Sequence, residues 1–157
     1  MTTIRKRFRR GSAVLDAALV FPVLLSLTFG SIEFGHFFYV KHTLQGAARE
    51  GARAAATGTA YSEITDATTR CMGAAGYSNT PTVKYTVDAY VVTGVDASGN
   101  PILGTQLTTA NFSTTATTGT PILVRVYCTW STVGIRPMQL LSSSRTVYGM
   151  TVMRRET

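Results

Sequence analysis

From Ala17 to Ile32 the chain runs sixteen residues without a charge, AALVFPVLLSLTFGSI. A helix that spans a bilayer needs about 20 largely apolar residues. Val14–Val40 reaches that length if Asp16 and Glu33 are accommodated near its two ends. The aromatic cluster Phe34, Phe37, Phe38 and Tyr39 that follows suits a membrane–water interface. An ordinary secretory signal peptide has a shorter apolar core and a small-residue cleavage site close behind it. Here the first rich small-residue site, Ala54-Ala-Ala56, lies well downstream, so a retained helix is the stronger reading. An uncleaved signal anchor remains an alternative.

The charge distribution sharpens this. The chain has a formal net charge of +7 and a pI near 9.9, which invites a nucleic-acid reading. Yet Arg5, Lys6, Arg7, Arg9 and Arg10 supply +5 of that total, with no acid among the first ten residues. The remainder is nearly balanced and shows no basic, aromatic-lined surface, so nucleic acid is the weakest of the readings. Only 15% of residues are charged, against about 25% in typical soluble domains. A membrane or a subunit interface accounts for such a deficit. The basic run before the apolar segment outweighs Lys41, Arg49 and Arg53 after it, which predicts a cytoplasmic N-terminus and a body on the far side.

Asp16 is the informative residue of the segment. A carboxylate within a membrane helix costs about 2.5–3.5 kcal/mol on insertion scales and is a functional candidate by default. Were the chain cut after Gly11, Ser12 would carry a new α-ammonium group one helical turn from Asp16, and the two could neutralise each other within or between chains. The plainer alternative has Asp16 snorkelling at the interface.

Arg-Arg-Gly11, the acidic residue five positions on, and AALVFPVLL resemble a type IV prepilin signal. Three blocks together, GSAVLDAALVFPVLL (11–25), IEFG (32–35) and AAREGAR (47–53), resemble the TadE-like pseudopilins of the tight-adherence (Flp) pilus system. The resemblance implies a processing site at Gly11 and Ser12, cut by a prepilin peptidase, and a role for Asp16 in subunit register. It further implies insertion in a bacterial inner membrane and partnership with other pilin and pseudopilin subunits and the pilus assembly machinery. The family usually has Glu where Asp16 stands, and often an aromatic residue where Ala17 stands.

Lys41–Thr57 is rich in Ala and free of Pro, so the helix is expected to continue beyond the membrane. Small residues recur four apart at Ala47, Gly51 and Ala55, and at Ala48, Ala52 and Ala56; Ser31 and Gly35 repeat the spacing higher up. Such spacing lets helices approach closely. The stripe therefore serves packing between subunits, or against the chain's own head, or both. Pro22 is expected to kink or loosen the helix. Glu33 and these small residues, with Pro22, form the candidate packing set.

Gly58 to Tyr61 breaks the helix. Ser62 is the expected N-cap of a second helix from about Glu63 to Ala75, with Ile64, Ala67, Cys71 and Ala74 on its core face. Val83–Val92 alternates as a strand, Asp96–Asn100 is a turn, and Ile102-Leu103 is a short return. Ile122–Thr132 and Thr146–Arg154 are the remaining strands. Eight of the sixteen residues from Thr105 to Thr120 are Thr, which predicts an exposed loop. The expected fold is α+β: a leader over 1–11, a transmembrane and assembly helix over 12–57, and a head over 58–157. That head holds one further helix and a three- to four-stranded antiparallel sheet.

No catalytic constellation stands out. His36 and His42, the only histidines, sit about 240° apart around a helix, which does not suit a shared metal. Asp96-x-Ser98-x-Asn100 opens like a calcium loop, but Leu107 stands where the glutamate is needed. Neither cofactor nor small-molecule substrate is expected. Cys71 and Cys128 would join the second helix to the ILVRVYCTWST strand in an oxidising compartment, or stay as two free core thiols. The expected function is a non-enzymatic minor pilin or pseudopilin. The alternative is a permanently anchored periplasmic scaffold or adhesion protein.

Overall fold

The computed structural model describes residues 10–58 and 60–156, with side chains from residue 14 onward. The expected leader over 1–11 therefore lies almost wholly outside the described residues. The elements are α1 (Arg10–Thr57), α2 (Tyr61–Ala74), β1 (Thr86–Val95), β2 (Pro101–Leu107), α3 (Phe112–Thr115), β3 (Pro121–Thr129), α4 (Trp130–Val133) and β4 (Thr146–Arg154). The four strands form one antiparallel sheet in the order β2-β1-β3-β4. The protein is thus α+β, as its patterning indicates.

The 48 residues of α1 run as one helix through Pro22, so the proline does not end it. The Ser26 hydroxyl donates to the Pro22 carbonyl at 2.8 Å. The helix stops at Gly58, where a Cβ would collide with the Ala54 carbonyl. Its second half lies on the sheet, against β3 and β4, while α2 packs alongside it. Ile122, Val124, Val126 and Cys128 of β3 point at it and are all buried. The closest approach is at Gly149 of β4, where any side chain would overlap the backbone of Leu44 and Gln45.

Several local readings need correction. Ser62 lies inside α2 rather than capping it; Ala60 is the N-cap and makes no side-chain capping bond. The buried face of α2 is Ile64, Ala67, Thr68 and Met72, while Cys71 is half-buried and Ala74 exposed. Thr68 can be buried because its hydroxyl donates to the Ile64 carbonyl at 2.7 Å, so no orphan donor results. Gly76, with φ of 85°, closes the helix; its N–H goes to Gly73 and that of Tyr77 to Met72.

Strand β1 begins at Thr86, later than the alternation suggests. Asn79 intercepts the chain first: its Oδ1 accepts from the N–H groups of Lys84 and Tyr85, and its Nδ2 donates to the Tyr85 carbonyl. Val83 is left exposed as a result. Strand β3 ends at Thr129 because Trp130 turns inward and is fully buried in α4. The Thr-rich stretch is not simply an exposed loop. It contains the end of β2 and the single turn α3, and it is pinned by buried Leu107, Phe112 and Ala116. Three apolar anchors at irregular spacing escape a reading based on composition.

Candidate functional site

The candidate site is α1 itself, and it divides in two. From Val14 to Phe29 every side chain is exposed, including Leu15, Leu19, Phe21 and Leu24. Val14–Thr57 is the one helix among the described residues long and apolar enough to cross a membrane, and its most apolar window is wholly uncovered by the head. Exposing so many large apolar side chains to water is unfavourable by about 1.5–3 kcal/mol each relative to burial. Such a surface marks a membrane or an assembly interface. Asp16 lies on this exposed half, as do Pro22, Ser31 and Gly35. Gly11 and Ser12 fall within α1.

From Val40 onward the helix is a core element. Val40, Leu44, Ala47, Ala48, Ala52 and Ala55 are buried in the head. Gly51 is buried where three elements meet. A Cβ there would sit 2.6 Å from the Thr68 hydroxyl of α2 and 3.1 Å from Val124 of β3. The lower part of the small-residue stripe is therefore occupied by the chain's own head. The upper part is open: nothing lies within 4 Å of a Cβ built on Gly35, and the Ser31 hydroxyl turns back to the Leu27 carbonyl.

The junction between the halves is polar and specific. Glu33 is fully buried, and its carboxylate accepts the backbone N–H of Leu141 at 2.9 Å and that of Met138 at 3.3 Å. One turn on, His36 Nε2 lies 2.9 Å from the Val133 carbonyl, which requires that nitrogen to carry the proton. Its ring is 5.7 Å from that of Trp130, and Phe37 meets Trp130 edge-on at 5.5 Å. Gln45 then pairs with the outer strand. Its Nε2 donates to the Met150 carbonyl at 2.9 Å, and its Oε1 accepts the Met150 N–H at 3.3 Å. This side chain gives the β4 backbone the partners a further strand would supply.

Glu33 was visible in the sequence as an acid inside an apolar run, but its partners lie more than 100 residues away. Gln45 and Gly149 carry no sequence signal at all. The outer face of the sheet holds a further polar cluster. Arg125 donates to Asp88 at 3.0 Å and lies over the rings of Tyr90 and Tyr127. Burial, then the Asp88 charge, raises the Tyr90 hydroxyl above its usual pKa. This cluster ties β1 to β3.

Cys71 and Cys128 are two free thiols, not the bridge considered from the sequence. Cys71 faces Gly46 on the α2 side of α1, whereas Cys128 belongs to the sheet side. Burial pushes Cys128 up to about 11. Asp96 caps its own turn: its Oδ1 accepts the N–H groups of Ser98 and Asn100, both at 2.8 Å.

A long helix whose first half is an uncovered apolar rod, and whose second half is the core of a small α+β head, fits a single-pass membrane anchor. Residues 11–53 match the family model described as TadE-like protein, so the anchoring helix and the first turns inside the head carry that family's signature. Comparison with curated proteins and with solved structures gave no match.

Proposed function

We propose that this protein is a minor pilin or pseudopilin-type subunit in the assembly of a tight-adherence (Flp) pilus, without enzymatic activity. The observation that carries the reading is an overlap between the family match and the exposed half of α1. The TadE-like match over 11–53 covers the uncovered apolar rod of α1 and its entry into the head. The basic run over residues 1–10 supports insertion in the inner membrane with the N-terminus cytoplasmic and the head periplasmic. Prepilin peptidase cleaves after Gly11, and the new amine at Ser12 pairs with Asp16 of the same or a neighbouring subunit. That pairing removes the cost of a lone carboxylate among apolar helices and sets their register. Ser31 and Gly35, which the head leaves uncovered, are where a neighbouring helix comes closest.

Intact-mass analysis of protein co-expressed with a prepilin peptidase tests the processing step. Loss of residues 1–11, leaving 146 of the 157, is expected, together with recovery of the product alongside sheared filaments. A full-length chain that stays with membranes after shearing would instead identify an anchored scaffold and overturn the proposal.

A further inference from the structure

Part of the connection from α4 to β4 is tied to the head, through buried Leu141 and the Ser143 and Arg145 carbonyls, but the stretch around Leu140 is not. That stretch runs down beside the uncovered half of α1. Leu140 faces Gly30, its Cδ1 3.7 Å from where a Cβ on that glycine would stand. Met138 and Leu140 form, with Pro22, Val23, Ser26 and Leu27, a shallow groove of about 400 Å³. Between them Gln139 takes a left-handed φ of 55°, uncommon for a residue other than glycine. Ile135, Met138 and Leu140 are 52%, 37% and 51% exposed, so the head leaves three large apolar side chains of one connection uncovered. What holds the connection down is Glu33, through the N–H groups of Met138 and Leu141.

These side chains continue the apolar surface of α1. At 1.5 Å per residue, Val14 to Glu33 covers about 29 Å, the thickness of a bilayer's hydrocarbon core. Glu33 then marks the boundary on the side of the head. A segment latched to Glu33, on a groove that extends along α1 to Val23 and Pro22, lies within that leaflet, the groove reaching about 15 Å from Glu33. Irregular backbone survives at such a depth only where its polar groups are satisfied or covered by protein. The Glu33 carboxylate does this for two of them, the N–H groups of Met138 and Leu141.

The geometry points to a lipid-binding segment. Residues 135–140 embed in the head-side leaflet beside α1, with Ile135, Met138 and Leu140 among the acyl chains. A lone helix can rotate and slide in a bilayer, and this second contact fixes the height and rotation of the head. The occupant is lipid rather than a second copy of the chain. Ile135, Met138 and Leu140 add large exposed apolar side chains beside the exposed apolar half of α1, and Ser31 and Gly35, the positions proposed above for contact with a neighbouring helix, are not among those lining the groove. The inference rests on α1 spanning the membrane.

Full-length Cys71→Ser protein in phosphatidylethanolamine–phosphatidylglycerol vesicles tests this, with a fluorophore on Met138→Cys or Leu140→Cys. Leu24→Cys in α1 and Leu103→Cys on β2 serve as controls. Nitroxide on the acyl chains should quench the 138 and 140 labels about threefold more than the 103 label, with matching protection from aqueous iodide. Glu33→Leu should return the loop labels to iodide and leave the 24 label unchanged, whereas Glu33→Gln, which keeps an acceptor, should retain most of the lipid quenching. Loop labels that behave like the 103 label overturn the proposal. So does protection that appears only as protein-to-lipid ratio rises, since a second copy would then be the cover. If the 24 label also escapes lipid quenching, the membrane reading of α1 fails and the loop proposal falls with it.

Discussion

Between Val14 and Phe29, α1 turns Leu, Val and Phe outward, whereas the side chains it buries between Val40 and Ala56 are mainly those of alanine. The contrast follows from what each half touches. A fluid medium fits itself around large side chains, so bulk there adds apolar area at no steric cost. A folded head is a fixed surface, and only small residues let strand and helix backbones come within reach of one another. Gly149 and Gly51 are the extremes of this second condition, and Gly35 is their counterpart on the open half.

The contrast can be broken most severely at Gly149. Gly149→Val drives a branched side chain into the Leu44–Gln45 backbone and should cost about 3 kcal/mol or more, enough to unfold a small head. Trp130, the sole tryptophan and fully buried, reports this as a red-shifted emission in detergent-solubilised protein. A paired substitution sharpens the difference between halves. Gly51→Leu should cost about 1–3 kcal/mol in denaturant titration, because Thr68 and Val124 must move. Gly35→Leu should stay within about 0.5 kcal/mol of the parent, and a filament yield that falls without any loss of stability would place Gly35 at a subunit contact. An equal loss of stability at both positions would refute the division of the helix.

The smallest effect compares the two coverings of the buried half. Cys128 lies on the sheet side and its thiol is pushed by burial up to about 11. Cys71, on the α2 side, is raised by burial and then by the Glu50 charge, and remains half-exposed. At pH 8, alkylation of the folded protein should modify Cys71 about tenfold faster than Cys128, as read by peptide mass. Equal rates would mean that the sheet opens as readily as α2 does.

What the sequence made legible follows from periodicity and composition. The apolar run, the four-residue spacing of small side chains, the end of α1 at Thr57 and the limits of β4 at Thr146–Arg154 are local signals. What it hid depends on residues meeting across the fold. The small-residue stripe looks the same whether it packs on a neighbour or on the chain's own head, and only Thr68 and Val124 around Gly51 separate the two. Asn79 delays β1 by binding Lys84 and Tyr85, and an alternating pattern cannot register such a competitor. Glu33 shows itself as an anomaly, but its two N–H partners have no signature of their own.

The alignment of β4 with α1 has a mechanical consequence. Arg145 lies over Phe37, Gly149 presses on Leu44, Gln45 binds Met150 and Thr151, and the Glu156 N–H reaches the Ala56 carbonyl at 2.9 Å. Residue numbers rise together along both elements, so helix and strand run in the same direction, side by side. A pull along the helix axis that drew α1 out of the head would load all of these contacts in shear at once, not peel them one after another. The head is thereby gripped like a handle on a rod, with the grip spread over the five turns from Phe37 to Ala56.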